Sequence, residues 1–229
     1  ATGDWILVLD ADELVPEPLS RRLMEIASDD VADVVLCPFR TFLLGTAMKG
    51  TGWGPRHEVH LRFYRRGCVS FSPEVHSSPV PCSGSRVIDL RDEEPSGQLA
   101  IQHFAYLGFH DFVDRLNRYT SIEANQASAR GETISLLRTI TRAVREFAWR
   151  LLRAGGYRDG WRGVHLSVLM GVYRWVSSAK QQQLKAVGSD DAIKSLYIEV
   201  AEGLLSAYRK DTELGAHVGG ASRGGSVES

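Results

Sequence analysis

Cysteine is scarce in this chain, and long apolar runs are missing. There are three cysteines in 229 residues, Cys37, Cys68 and Cys82. Their number is odd and none stands at Cys-x-x-Cys spacing, which speaks against a disulfide framework and against structural zinc. They read as small buried residues of a protein kept in a reducing compartment. No apolar stretch approaches the roughly 20 residues of a spanning helix. Residues 1–15 have neither a basic start nor a cleavage pattern. Neither sign of charge is in excess: 27 Lys and Arg stand against 28 Asp and Glu. That balance excludes a protein whose whole surface binds nucleic acid. No internal repeat is visible. What is present, 43% hydrophobic and 24% charged residues, suits one core, or one core with a helical appendage.

The most informative stretch is Asp4-Trp5-Ile6-Leu7-Val8-Leu9-Asp10-Ala11-Asp12-Glu13. Trp5 to Leu9 predict a strand buried on both faces. The run ends in acid. Carboxylates at Asp10 and Asp12 can point into one volume beyond the sheet edge, where open α/β sheets bind ligands. Mg²⁺ or Mn²⁺ bridging a diphosphate needs such hard oxygen ligands. The plainer reading is an acidic turn with Asp12 capping a helix that buries Leu19, Leu23, Met24 and Ala27.

The whole string resembles the metal-binding strand of the family 2 glycosyltransferases, which have a GT-A fold. The resemblance implies that Asp10 and Asp12 hold the metal on a nucleotide-diphosphate sugar. GT-A enzymes place base-binding strands ahead of this one, yet only Ala1 to Gly3 precede it here. The expectation is therefore an α/β chain forming the C-terminal part of a GT-A (Rossmann-like) domain, whose nucleotide-binding half is absent, followed by a helical appendage.

Asp33 to Arg40 predict a second strand. Residues 44–56 are glycine-rich and contain Trp53, which reads equally as a flap over a sugar or as a plain connection. From Glu58 to Gly67, Val59, Leu61 and Phe63 alternate with His60, Arg62 and Tyr64, predicting a half-buried strand. Short strands are expected at residues 68–71, 86–90 and 99–104. The block from Glu58 through Arg62-Phe63-Tyr64-Arg65-Arg66-Gly67 to Val75-His76 resembles the lipopolysaccharide-core β-glucosyltransferase branch of family 2. Two positions depart from that branch: Glu58 stands where Asp is usual, and Ser77 where Glu follows the His. By the resemblance Glu58 faces the acceptor. An inverting transfer needs a base there to take the proton of the attacking hydroxyl, so Glu58 is the catalytic candidate. Trp53, Arg62, His76 and His103 are the candidates for substrate binding; Arg62 suits a phosphate as a bidentate donor. The plainer readings are a solvated carboxylate for Glu58 and hydrogen-bonded structural histidines. Asp89, Asp92, Glu93 and Glu94 read as a solvated turn.

From Asp111 the pattern turns helical. Phe112, Leu116, Tyr119, Ile122 and Ala127 share one face, and Gly131 stops that helix. Thr133 is the expected cap of the next, which has an apolar stripe from Leu137 to Leu152. Further helices are expected at residues 161–183 and 190–210. The last residues read as a disordered tail. The domain expectation is thus 1–106 for the partial catalytic domain, 107–187 for the helical region, 188–211 for a final helix and 212–229 for the tail. Between Arg130 and Arg162 there are eight arginines and three acids. This excess beside apolar helices predicts that residues 111–183 dock on an anionic membrane surface, on the inner face of the cell membrane. The plainer reading is that the stripes pack on each other and on the core, with the arginines solvated or paired with acids. The expected partners are a nucleotide-diphosphate sugar donor, of glucose by the resemblance, and a saccharide or lipid-linked saccharide acceptor, with no nucleic acid. A noncatalytic saccharide-binding domain is the alternative.

Overall fold

A computed structural model describes residues 2–71, 79–93 and 97–220, and in the last helix it describes side chains only to Ser206 and at Tyr208. His76, with its neighbours Glu74, Val75 and Ser77, lies outside the described residues, as does Glu94.

The fold is mixed α/β. Its centre is the long strand β3 (Val34–Leu43). The other strands are β1 (Trp5–Leu7), β2 (Glu13–Leu14), β4 (Thr46–Ala47), β5 (Val59–Arg65), β6 (Val69–Ser70), β7 (Val80–Pro81), β8 (Val87–Asp89) and β9 (Ile101–Tyr106). Seven of them form one sheet whose main path runs β1-β5-β3-β9-β2. The N-terminal half of β3 lies between antiparallel β5 and parallel β8, and its C-terminal half pairs with parallel β9. Pro38, which has no N–H to give a ladder, sits where β3 exchanges β8 for β9.

The helix α1 (Glu17–Asp29) covers one face of the sheet. Leu19, Leu23 and Ile26 pack there on Val35, Phe39, Phe63 and Ile101. Met24 points to solvent instead, because the buried stripe continues through Ile26. The helix begins at Glu17 with Pro16 as its cap, so Asp12 caps nothing.

Two expectations about strands need correction. The first strand is not buried on both faces: among the described residues β1 pairs only with β5, antiparallel, and Leu7 and Leu9 are exposed. Nor is the alternation along β5 regular. Phe63 pairs with Val35 and Leu61 with Leu36, which leaves Arg62 as an extra, bulged residue. The bulge sends Phe63 to the cluster under α1 and Leu61 to a second cluster with Val34 and Tyr64.

The helical region begins with α2 (Phe109–Ala129) and α3 (Leu136–Ala148). A π-helical segment Trp149–Arg153 and a 3₁₀ turn Gly156–Asp159 lead into α4 (Gly160–Val187). The cap of α3 is Ser135, whose side chain accepts from the Arg138 amide at 3.4 Å, rather than Thr133. Residues from β3, β9, α2 and α4 share one core of Leu43, Met48, Ala105, Phe112, Leu116 and Leu166. The final helix, α5 (Asp190–Gly220), continues through positions expected to begin the tail.

Candidate active site

The acidic run after β1 folds as a tight turn. The Glu13 amide donates to the Asp10 carbonyl at 3.1 Å, and the Asp10 amide to the Glu13 carboxylate at 3.1 Å. β2 then pairs with β9, placing Glu13 opposite His103. The Phe104 amide donates to the Asp12 carbonyl at 2.9 Å. These backbone bonds bring the turn to the start of β9, although some ninety residues of chain separate them.

Glu58 arrives from another direction. Its carbonyl accepts from the Phe39 amide at 2.8 Å, which holds it beside the middle of β3. Its carboxylate accepts the Thr41 hydroxyl at 2.5 Å. The Thr41 oxygen also lies 3.4 Å from His103 Nδ1. His103 stands between two acids, with Nδ1 4.0 Å from Glu58 and Nε2 3.7 Å from Asp12. His60 Nε2 is 3.8 Å from the same Glu58 carboxylate oxygen that His103 approaches. Both imidazoles meet the Phe39 ring edge to face. Phe39 therefore forms an apolar floor under the charged groups.

The bulge aims Arg62 into the same volume. Its guanidinium donates to Asp10 at 2.8 Å and to Glu13 at 2.5 Å, and lies 5.2 Å from the centre of the Phe39 ring. The two carboxyls are pushed apart chemically. The Arg62 hydrogen bond holds Asp10 below the ordinary carboxylate range, whereas burial raises Glu13. The Glu13 side chain is only 1% exposed, against 62% for Asp10. Asp10, His60 and Arg62 also line a cleft of about 750 Å³ whose walls include Tyr64, Phe71 and Tyr119.

Five of the seven residues expected at the site are thus gathered: Asp10, Asp12, Glu58, Arg62 and His103 share one cluster. Trp53 takes another place. Its ring meets Phe112 edge to face and lies 4.7 Å from the Arg150 guanidinium, among the helices. His76 falls outside the described residues. Glu13, Thr41 and His60 join the site without having been singled out. Glu13 was adjacent to the motif and could have been included, but no sequence signal marks Thr41, which depends on the register of β3 against Glu58.

Among the described residues no three His, Cys, Asp or Glu side chains converge to hold an ion by themselves. Asp10 and Asp12 nevertheless keep exposed carboxylate oxygens at the mouth of the site. An open carboxylate pair of this kind fits Mg²⁺ or Mn²⁺ when a bound diphosphate supplies further oxygens. Arg65 and Arg66 are engaged elsewhere: Arg65 pairs with Asp30 and Asp33, and Arg66 with Asp4.

No family model matches this chain, and no solved structure matches it.

Proposed function

We propose that the chain carries the catalytic part of an inverting GT-A glycosyltransferase of family 2, moving a hexose, glucose by the resemblance, from a nucleotide-diphosphate sugar to a saccharide or lipid-linked saccharide. The observation that supports this most is the position of His103, between the Asp12 and Glu58 carboxylates. It puts the acid pair suited to a donor diphosphate beside an acid suited to an acceptor hydroxyl. Asp10 and Asp12 would hold Mg²⁺ or Mn²⁺, which offsets the charge that builds on a departing diphosphate. Glu58 accepts the hydroxyl proton, held in place by Thr41. Arg62 keeps Asp10 ionised and can turn to a phosphate oxygen as the donor enters. His103 separates the two acids, limiting the repulsion between them. Phe39 beneath them lowers the local dielectric, which strengthens each of these interactions.

A noncatalytic saccharide-binding domain is favoured by one observation, that Arg62 already bridges Asp10 and Glu13. Metal dependence separates the readings. In this protein metal-dependent hydrolysis of nucleotide-diphosphate sugars is expected, and Asp10→Asn or Asp12→Asn abolishes it. An isosteric amide keeps the shape of the turn and loses the charge. Unchanged metal-dependent turnover in both variants would falsify the assignment.

A further inference from the structure

The apolar stripe of α3 does not face the core. Leu137 is 71% exposed and Val144 is 59% exposed. The residue of α3 that is fully buried is the polar Thr139. Beside this stripe runs a second one on α4. Trp161, Val164, Val168, Val172 and Trp175 recur at helical spacing and are all exposed. This α4 stripe is about 21 Å long at 1.5 Å per residue. Two apolar grooves flank it. One, of about 350 Å³, lies between α3 and α4 and includes Phe147, Val168, Val172 and Trp175. The other, of about 470 Å³, lies between α2 and α4 and includes Phe109, Val113, Val164 and Val168. Val168 lines both, so one apolar face extends across three helices. No Asp, Glu, Lys or Arg lines either groove. A face of this extent marks an interaction surface.

The surrounding charge says what covers it. Residues 136–183 contain nine Lys and Arg and two acids, and α2 adds two Arg and three acids, so the three helices keep an excess of bases. Both acids of residues 136–183 are already engaged within the fold. Glu146 is held by Arg150 and Arg174, and Asp159 by the amides of Lys49 and Gly50. Arg138, Arg142, Arg145 and Arg153 make no ion pair with a described acid, and the first three line a polar groove on another flank of α3. A second copy of the chain would bring the same excess of positive charge against itself. An anionic bilayer surface meets both features: its headgroups attract the arginines while its acyl boundary accepts the apolar face. Arginine stems are long enough to reach from a helix flank to the headgroup level. No helix among the described residues is long and apolar enough to cross a membrane.

We infer that the α2–α3–α4 face is an interfacial docking surface for anionic lipid, lying on the bilayer rather than spanning it. This inference does not depend on the transferase reading. Co-sedimentation of the 229-residue chain with vesicles tests it, using phosphatidylglycerol in phosphatidylcholine against phosphatidylcholine alone. Binding is expected with the anionic vesicles, with at least about tenfold lower affinity for the neutral ones, and it falls as salt rises. Arg138→Gln, Arg142→Gln and Arg145→Gln together weaken it by at least about tenfold. Val168→Ser with Val172→Ser, at exposed positions and with an unchanged circular dichroism spectrum, weakens it as well. Quenching of tryptophan fluorescence by brominated lipid reads insertion in the unmodified chain, independently of any variant. Equal binding to neutral vesicles, no binding at low salt, or a protein dimer dissociated by the valine changes overturns the inference.

Discussion

Arg62 shows how one residue's aim depends on its neighbours in the sheet. On a regular β5 it would alternate with Leu61 and Phe63. As the extra residue of a bulge it reaches Asp10 and Glu13. Bulges commonly redirect a side chain next to a site of chemistry. Glu58 is the residue on which the proposed reaction turns. Glu58→Gln is expected to reduce kcat by at least about 10²-fold, the usual scale for loss of a general base, with donor affinity little changed. The amide still accepts from Thr41, so the fold around it persists. Steady-state kinetics alongside a donor-binding titration checks this. Normal kcat with a collapse of donor affinity would make Glu58 a donor-site residue.

At the scale of elements, the glycine-rich segment is latched to the helices. Asp159 accepts from the Lys49 amide at 2.7 Å, the Gly50 amide at 2.9 Å and the Thr51 hydroxyl at 2.9 Å. Arg150 donates to the Thr51 carbonyl at 2.6 Å. A Cβ on Gly50 would lie 2.4 Å from the Gly155 carbonyl oxygen, so only glycine allows this approach. Thr51 adopts φ of 61°, an uncommon conformation for a β-branched residue, and is held there from both sides. Of the two sequence readings of this segment, a free flap is the one these bonds disfavour. The segment also leads directly to Glu58, whose amide donates to the Gly54 carbonyl at 3.1 Å. Asp159→Ala is expected to destabilise the protein by about 2–4 kcal/mol, because it strands two amides and a hydroxyl. A urea titration measures that loss, and amide exchange at Lys49 and Gly50 should accelerate with it. If exchange there is unchanged, the latch does not hold the segment.

Across the whole molecule, Arg86 ties the sheet to the end of α1, donating to Asp30 and to Asp33; Asp33 takes the larger share of those bonds. Its carboxylate accepts from the Arg86 amide at 2.9 Å and from the Arg86 side chain at 3.1 and 3.0 Å, and these bonds lower its pKa to about 2. A depressed carboxylate pKa means that the folded state binds the proton less tightly than the unfolded chain. Its contribution is fully present above the ordinary Asp value and is lost as pH falls towards 2. Asp33→Asn is therefore expected to lower the melting temperature at neutral pH and to make little difference near pH 2. Thermal melts of parent and variant across that range test the sign. Curves separated equally at both ends would mean that the contribution is not ionic.

Much of the α/β character was legible locally. The apolar run at Trp5–Leu9, the alternation after Glu58 and the helical stripes beyond Asp111 each announce an element, because side-chain periodicity is a property of neighbours in sequence. The acids after β1 were legible as candidates, although the same run also read as a plain acidic turn, and a turn is what it forms. The sequence could not show that His103 stands between Asp12 and Glu58, or that Thr41 holds Glu58, because these positions follow from strand order and register. A bulge of one residue redirected Arg62, and periodicity carries no mark of it. The α3 stripe gave the same signal whether it met a core or solvent. Amphipathicity tells that a face is apolar, whereas what lies against that face is decided by how the other helices pack, and here α4 leaves it open.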